Sequence, residues 1–409
     1  MKTSVSNAVV IGAGTMGRGI AMCLVDANIS TCLMDVDQGR LESAMASVRR
    51  TYEGQVRRGS LTDSDMAARL AILHPMRDDV GLETADLVIE AAVEDMSVKT
   101  AIFRKLDACT RPGTILATNT SALDVDAIAA VTGRAADVIG MHFFSPAHRM
   151  RLLEVVRGAA TSPKIVEAVL SLGRRLGKVA VVSGVCDGFI GNRILARYQA
   201  AASFMVAQGA SPRQVDDALQ AFGFALGPLR MTDLAGLDIG SAGRRRRARS
   251  QPGVRHLILA DALVDAGRLG QKTGAGWYRY DDGRTPLPDQ KVDEIVRAWR
   301  AENGICPRKV SSDEIVDRCL FAMANEGAAI VAEGIAANEA DVDAVYLHGY
   351  GFPGSRGGPM QYAREVGVSQ VAEALRGFAG TAGEYAHIWE PRSAFLALTQ
   401  ASIALGHVA

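Results

Sequence analysis

Two kinds of hydrophobic patterning follow one another along this chain, and the change between them falls near residue 188. Before it, short β-branched runs bounded by turn residues alternate with longer amphipathic stretches, as expected of strands and helices taken in turn. The strand-like runs are NAVVI from Asn7, a second short apolar run ending at Asp35, ADLVIEAAVE, TILATNTS, ADVIGMHFF, LLEVVRG and KVAVVSG. Between them, a polar stretch to about Leu70 and the segment from Ser97 to Cys109 read as helices. This alternation predicts an α/β, doubly wound sheet ending near Gly184. From Gly188 the spacing is helical, with Ile190, Ile194, Leu195 and Tyr198 on one face of a segment that runs to Gly209. Turn-forming residues from Gly267 to Gly276, and again in DDGRTPLPDQ, predict a linker before a further helical region that begins at about Asp313.

The helical half contains an internal repeat. GNRILARY…GASPRQVDDALQAFGFALGPLRMTDLAG is echoed by VDRCLFAM…GIAANEADVDAVYLHGYGFPGSRGGPMQYARE, the FGF around Gly223 answering the YGF around Gly351, and both copies run on to a Gly-Pro pair. Three domains are expected: 1–184 for the sheet, 185–300 for the first helical copy with its linker, and 301–409 for a degenerate second copy. Asp317 stands where the first copy has Asn192, so any chemistry at Asn192 belongs to the first copy alone.

Composition narrows the function. Lys plus Arg and Asp plus Glu both number 45, so no net field draws the chain to nucleic acid or membrane, and a small-molecule partner is expected. Six cysteines stand without CxxC or metal-ligand spacing, which points to no bound metal and a reducing compartment. The first strand starts within about eight residues of Met1, and no apolar run is long enough to span a bilayer. A soluble cytoplasmic protein without a signal peptide is the expectation.

The strand-to-helix junction at the start carries the first chemistry. Gly12 permits a tight turn, Gly14 admits a pyrophosphate to the backbone, and Gly17 lets helix and strand approach, while the helix N-terminus offers free N–H groups. Asp35, at the end of the next strand, is placed to accept from ribose hydroxyls and to repel a 2′-phosphate, favouring NAD over NADP. Asn119, Ser121, His142, Glu154 and Asn192 all fall at strand ends or at a helix start, where ligands of such sheets collect. Oxidation of a secondary alcohol needs a base for the hydroxyl proton, and neutral histidine suits that task. Glu154 is positioned to orient the His142 ring, with Ser121 and Asn192 as hydrogen-bond donors to the substrate oxygen. Read singly, each has a plainer role: a structural histidine, a strand-edge carboxylate, a helix cap at Asn192.

IGAGTMGRGIA, NTSALD, HFFSPAHRMRLLEVV, CDGFIGNRI, FGFALGPLRMTDLAGLD, GQKTGAGWY and YLHGYGFPGSRGGPM together resemble the 3-hydroxyacyl-CoA dehydrogenases almost end to end, nearest to the dehydrogenase half of peroxisomal and bacterial bifunctional enzymes. The resemblance implies a Rossmann-type domain followed by two tandem, duplicated all-α domains. It also implies His142 as base, Glu154 as its partner, Ser121 and Asn192 as substrate contacts, and NAD contacts at Thr15, Met16, Asp35, Ala92, Val93, Glu94, Lys99, Asn119 and Ser121. Ser145 replaces the asparagine that many members place beside the nicotinamide, a substitution the bifunctional relatives share. Arg57 and Arg58 are candidates for the CoA phosphates, whereas the run Arg244 to Arg247 reads as a solvated loop. No hydratase half is expected, and the terminal GHVA lacks the Ser-Lys-Leu address of some relatives.

The implied activity is NAD-dependent interconversion of 3-hydroxyacyl-CoA and 3-ketoacyl-CoA in fatty-acid β-oxidation or related acyl-CoA metabolism. A dehydrogenase of a free 3-hydroxy acid or carnitine, and a non-catalytic, crystallin-like NAD-binding protein, are the alternatives. The repeat leads to the further expectation of a monomer whose two helical copies form an internal pseudo-dimer.

Overall fold

Among the described residues, 5–79, 81–250 and 252–406 of the computed structural model, eight strands form one sheet. They are β1 (Asn7–Ile11), β2 (Ser30–Met34), β3 (Leu73–Met76), β4 (Leu87–Glu90), β5 (Ile115–Thr118), β6 (Val138–Phe143), β7 (Leu152–Arg157) and β8 (Val179–Gly184), in the order β3-β2-β1-β4-β5-β6-β7-β8. β4 and β5 are buried along their whole length, because helices cover both faces of a parallel sheet. The first six strands run parallel; β7 pairs antiparallel with β6, and β8 runs parallel to β7. A sheet read simply as doubly wound therefore reverses direction at its last two strands.

Local signals explain most helices. The polar stretch after Asp35 resolves into Gln38–Arg57, where Asp37 accepts from the Arg40 N–H, and Asp63–Ala71, where Thr62 accepts from the Asp65 N–H. The segment expected from Ser97 to Cys109 forms the helix Met96–Cys109, capped by Asp95. β3 escapes the sequence pattern because LHPM is short and holds Pro75; it lies at the sheet edge, where a residue without an N–H is tolerated.

The chain separates into two compact units: Met1–Asn192 with Gly334–Gly349, and Arg193–Glu333 with Tyr350–Ala409. The boundaries expected at 184 and 300 are not those of the units, and the second helical copy is not a domain of its own. Its helix Glu339–Gly349 buries Val342, Val345 and Tyr346 and packs on β7 and β8. There the Gly184 N–H donates to the Ile335 carbonyl at 2.8 Å. A Cβ added at Gly349 would come within 2.4 Å of Leu152 Cδ2, so this helix lies directly on β7.

The second unit holds the rest of both copies. Phe222 of the first copy meets Phe352 and Tyr362 of the second, with ring centroids 6.0 and 5.1 Å apart. The helices Pro228–Ala235 and Pro359–Val366 end on Gly236 and Gly367 with nearly equal angles, φ 107 and ψ 120 against φ 104 and ψ 114. The repeat thus extends to a backbone conformation that favours glycine.

Two expectations fail in this unit. The presumed linker is packed: Trp277, Tyr278 and Tyr280 are buried, and Asp233 accepts from the Trp277 and Tyr278 N–H groups and the Tyr280 hydroxyl. Asp216 in turn accepts from the Leu229 and Arg230 N–H groups and the Tyr278 hydroxyl. Burial raises both carboxyls to about 6. Turn residues marked the bends, but buried aromatics, not turn chemistry, decide that the segment stays on the core. The arginine run is helical, within Leu237–Ser250, and Arg244 Nε donates to Asp261 Oδ1 at 3.0 Å.

Candidate active site

The glycine loop has the stereochemistry its spacing implies. Gly12 adopts φ 103, and a Cβ there would sit 2.5 Å from the Ala91 carbonyl oxygen. A Cβ at Gly17 would overlap the Gly12 carbonyl oxygen at 1.7 Å, which is why helix Thr15–Asp26 can pack so near β1. Gly14 differs. It caps that helix with no side-chain hydrogen bond, and a Cβ on it would meet nothing within 4 Å. Open space at an uncapped helix N-terminus fits a pyrophosphate.

Asp35 faces the same loop. Its Oδ2 accepts from the Ala13 N–H at 2.8 Å and its Oδ1 from the Asp37 N–H at 3.0 Å, which fixes the carboxylate while each oxygen keeps acceptor capacity for a ribose hydroxyl. Val36, next in sequence, is 87% exposed. An apolar side chain held in the open beside Asp35 suits the face of an adenine, and only its position after the acid could have marked it in the sequence. Thr15 is exposed and Met16 half-buried at the helix start.

Beyond β4 the expected cofactor contacts separate into two groups. Ala92 and Val93 come just after the strand, and Val93 is 58% exposed. Lys99 is 1% exposed, with its Nζ 2.9 Å from Glu90 Oε1 and 3.4 Å from Glu94 Oε2. It therefore reaches the cofactor region through Glu94 rather than by its own ammonium group. Glu90, missed by the sequence reading, is fully buried and also accepts from the Thr118 hydroxyl and the Ala92 N–H. An acid closing the apolar run LVIE was its signal. Glu94 accepts from the Thr120 hydroxyl at 2.7 Å and from both the N–H and hydroxyl of Ser121, at 2.7 and 2.9 Å. Burial alone would raise the Glu94 carboxyl; Lys99 and these donors hold it below its usual range.

The residues expected to carry the chemistry converge. His142 and Glu154 are direct partners in the β6–β7 register, and His142 Nδ1 lies 2.7 Å from Glu154 Oε2. Glu154 is 0% exposed. Its other oxygen accepts from the Ile190 and Gly191 N–H groups at 3.1 and 3.0 Å, at the start of helix Gly191–Gln208. The carboxylate thus sits at a helix N-terminus, where N–H groups and the dipole favour an anion. With Nδ1 committed as donor to Glu154, the neutral ring carries its lone pair on Nε2. Phe144 and Phe189 flank the ring at centroid distances of 4.4 and 5.9 Å.

Ser121 and Asn192 meet as well: Asn192 Nδ2 donates to the Ser121 carbonyl at 3.1 Å. Asn119 Oδ1 accepts from the Phe143 N–H at 2.9 Å, tying the end of β5 to that of β6. Ser145, just past the end of β6, is exposed. Arg57 and Arg58 lie exposed at the C-terminal end of helix Gln38–Arg57. Among the described residues no group of His, Cys, Asp or Glu is arranged to hold a metal ion, and no helix is long and apolar enough to cross a membrane. The last three residues of the terminal GHVA lie outside the described residues.

A family model described as the 3-hydroxyacyl-CoA dehydrogenase NAD binding domain matches residues 7–186, and one described as the C-terminal domain of the same dehydrogenase matches 188–280 and 315–401. The chain is 44% identical over 385 residues to the peroxisomal bifunctional enzyme of Danio rerio, covering 91% of this chain and 53% of that protein. It is 34% identical over 386 residues to the glyoxysomal fatty acid beta-oxidation multifunctional protein MFP-a of Brassica napus, covering 93% and 53%. The chain thus spans about half the length of the curated relatives it matches. The crystal structure of 3-hydroxybutyryl-CoA dehydrogenase from Escherichia coli superposes with a TM-score of 0.86 at 26% identity, covering 98% of this chain and 100% of that one. The cytoplasmic expectation is overturned, since these curated relatives are named as peroxisomal and glyoxysomal enzymes; balanced charge and a missing leader pattern say nothing about organelle import.

Proposed function

The chain belongs to the 3-hydroxyacyl-CoA dehydrogenase family, and we propose that it interconverts 3-hydroxyacyl-CoA and 3-ketoacyl-CoA with NAD, as a step of fatty-acid β-oxidation. The observation that carries this reading is the buried His142–Glu154 pair, anchored to a helix N-terminus beside the Ser121–Asn192 contact. Bound NAD supplies the hydride acceptor. His142 Nε2 takes the proton of the 3-hydroxyl and returns it in the reverse direction. Glu154 holds the ring in the tautomer that leaves Nε2 unprotonated and stabilises the imidazolium formed on proton uptake. Ser121 and Asn192 hold the substrate oxygen as its charge changes. Asp35 and the Gly12 to Gly17 loop hold the adenosine end of the cofactor, with Glu94 and Lys99 supporting Ser121. Arg57 and Arg58 are assigned to the CoA phosphates.

Steady-state NADH oxidation with a series of 3-ketoacyl-CoA esters, against the matching free 3-keto acids, tests the reading. The thioesters should be turned over with much the higher kcat/KM; equal use of the free acids overturns the assignment. We also infer a monomer, because aromatic contacts such as Phe222 with Phe352 and Tyr362 cover the faces of the two copies within one chain. Light scattering should give a mass near 43.3 kDa; twice that mass at micromolar concentration refutes it.

A further inference from the structure

The helix Glu339–Gly349 belongs to the copy in which Asp317 replaces the amide, yet it is built into the sheet unit against the strand that carries Glu154. Leu152 and Glu154 are two residues apart on β7, so their side chains share one face of the sheet. Gly349 rests on Leu152. Three residues earlier in the same helix, Tyr346 is 1% exposed, and its hydroxyl donates to the Gly191 carbonyl at 3.1 Å. Gly191 is also the residue whose N–H grips Glu154 Oε1 at 3.0 Å. One glycine is therefore held on its carbonyl side by the second copy and on its amide side by the catalytic pair.

We propose that Tyr346 is a positioning residue for the dehydrogenation. Through Gly191 it fixes the helix N-terminus that holds Glu154, and so the hydrogen bond between Glu154 and His142. The second copy thereby takes part in catalysis without touching substrate. Burial, reinforced by the nearby Glu154 charge, keeps the phenol protonated and therefore a donor. A ring placed there only to fill space would need no hydroxyl aimed at this carbonyl.

The inference rests on the dehydrogenase reading, and a double-mutant cycle separates the two. Turnover of a 3-ketoacyl-CoA by the unmodified enzyme reports the reading itself. Tyr346→Phe, which keeps the ring and removes the donor, should lower kcat about 5- to 10-fold, as expected for one lost hydrogen bond, with KM for NADH within about twofold. In a Glu154→Gln background the same change should lower kcat by less than about twofold, because the productive Glu154–His142 hydrogen bond that Tyr346 positions is already lost. Equal losses in the two backgrounds, or no loss in the unmodified enzyme, overturn the proposal. Should Tyr346→Phe not fold, Gly349→Ala, whose Cβ would stand 2.4 Å from Leu152 Cδ2 so that the side chain or the helix must shift, disturbs this packing with the hydroxyl retained. The same dependence on Glu154 is then expected, and its absence overturns the proposal equally.

Discussion

Replacing Glu154 by glutamine preserves size and removes the charge, and the hydrogen-bond geometry dictates how the His142 ring responds. Oε1 accepts from two N–H groups at 3.1 and 3.0 Å, while Oε2 faces His142 Nδ1 at 2.7 Å. Glutamine has one carbonyl oxygen and one NH2, so it can serve only one side as an acceptor. With the oxygen left on the two N–H groups, the NH2 points at Nδ1, which must then be unprotonated; the ring proton moves to Nε2 and blocks the base. With the amide reversed, two buried N–H donors lose their acceptor, at about 1–3 kcal/mol each. The first arrangement costs less, so the variant rests in the unproductive tautomer. Reaching the productive one costs about 2–6 kcal/mol, or about 30-fold to 10⁴-fold in kcat. Initial rates of NADH formation at saturating 3-hydroxyacyl-CoA and NAD measure that loss, and quenching of protein fluorescence by NADH should show binding unchanged. A kcat within about threefold of the unmodified enzyme, or an effect confined to NADH affinity, refutes this account of the pair.

His142→Gln should lower kcat by about 10²-fold or more through loss of the base; NADH titration should give an unaltered affinity, and near-normal turnover would remove His142 from the mechanism. Asp35→Ser should narrow the preference for NAD over NADP, and equal kcat/KM for both cofactors in the unmodified enzyme contradicts the role given to that carboxylate. Burial alone would raise Glu326, but Arg197 and Arg193 outweigh it and hold the carboxyl down at about 2, against 4.5 unperturbed. Between these values the native state binds fewer protons than the unfolded chain, so stabilisation present above pH 4.5 is lost as pH falls toward 2, about 3 kcal/mol in all. The difference in urea stability between unmodified protein and Glu326→Gln should narrow across that window; parallel profiles would falsify the assignment.

The sequence made the sheet readable wherever an apolar run of four or more residues ended in turn chemistry, and it made the glycine loop readable because Gly12 and Gly17 are sterically compelled there and Gly14 leaves the helix N-terminus open. LHPM lacked both signals, and its place at the sheet edge is a property of the assembled sheet. His142 and Glu154 were identifiable as residue types at strand ends. Their pairing depends on the register across the hairpin that joins β6 to β7, which no short-range pattern encodes. The two N–H groups that hold Glu154 have no side-chain signature at all. Glu90 and Tyr346 were missed for a related reason: each acts through a partner brought in from elsewhere, Lys99 nine residues away and Gly191 at a separation of 155. The arginine run misled because charge was taken for a loop, although Arg244 finds Asp261 across two packed helices.

The return of residues 334–349 to the first unit also orders events at the ribosome. Domains that are continuous in sequence fold in turn as they emerge, N-terminal first. Here β7 and β8 are finished by residue 184, but the helix that covers them ends only at Gly349 of 409. Until that helix is made, the nascent chain carries the face of β7 on which Leu152 lies without its cover, and the carbonyl of Gly191 without Tyr346. Most of the second unit is synthesised in that interval. The last part of the first unit to assemble is therefore the part behind Glu154, so the catalytic pair reaches its final support late in synthesis although both of its residues are made early.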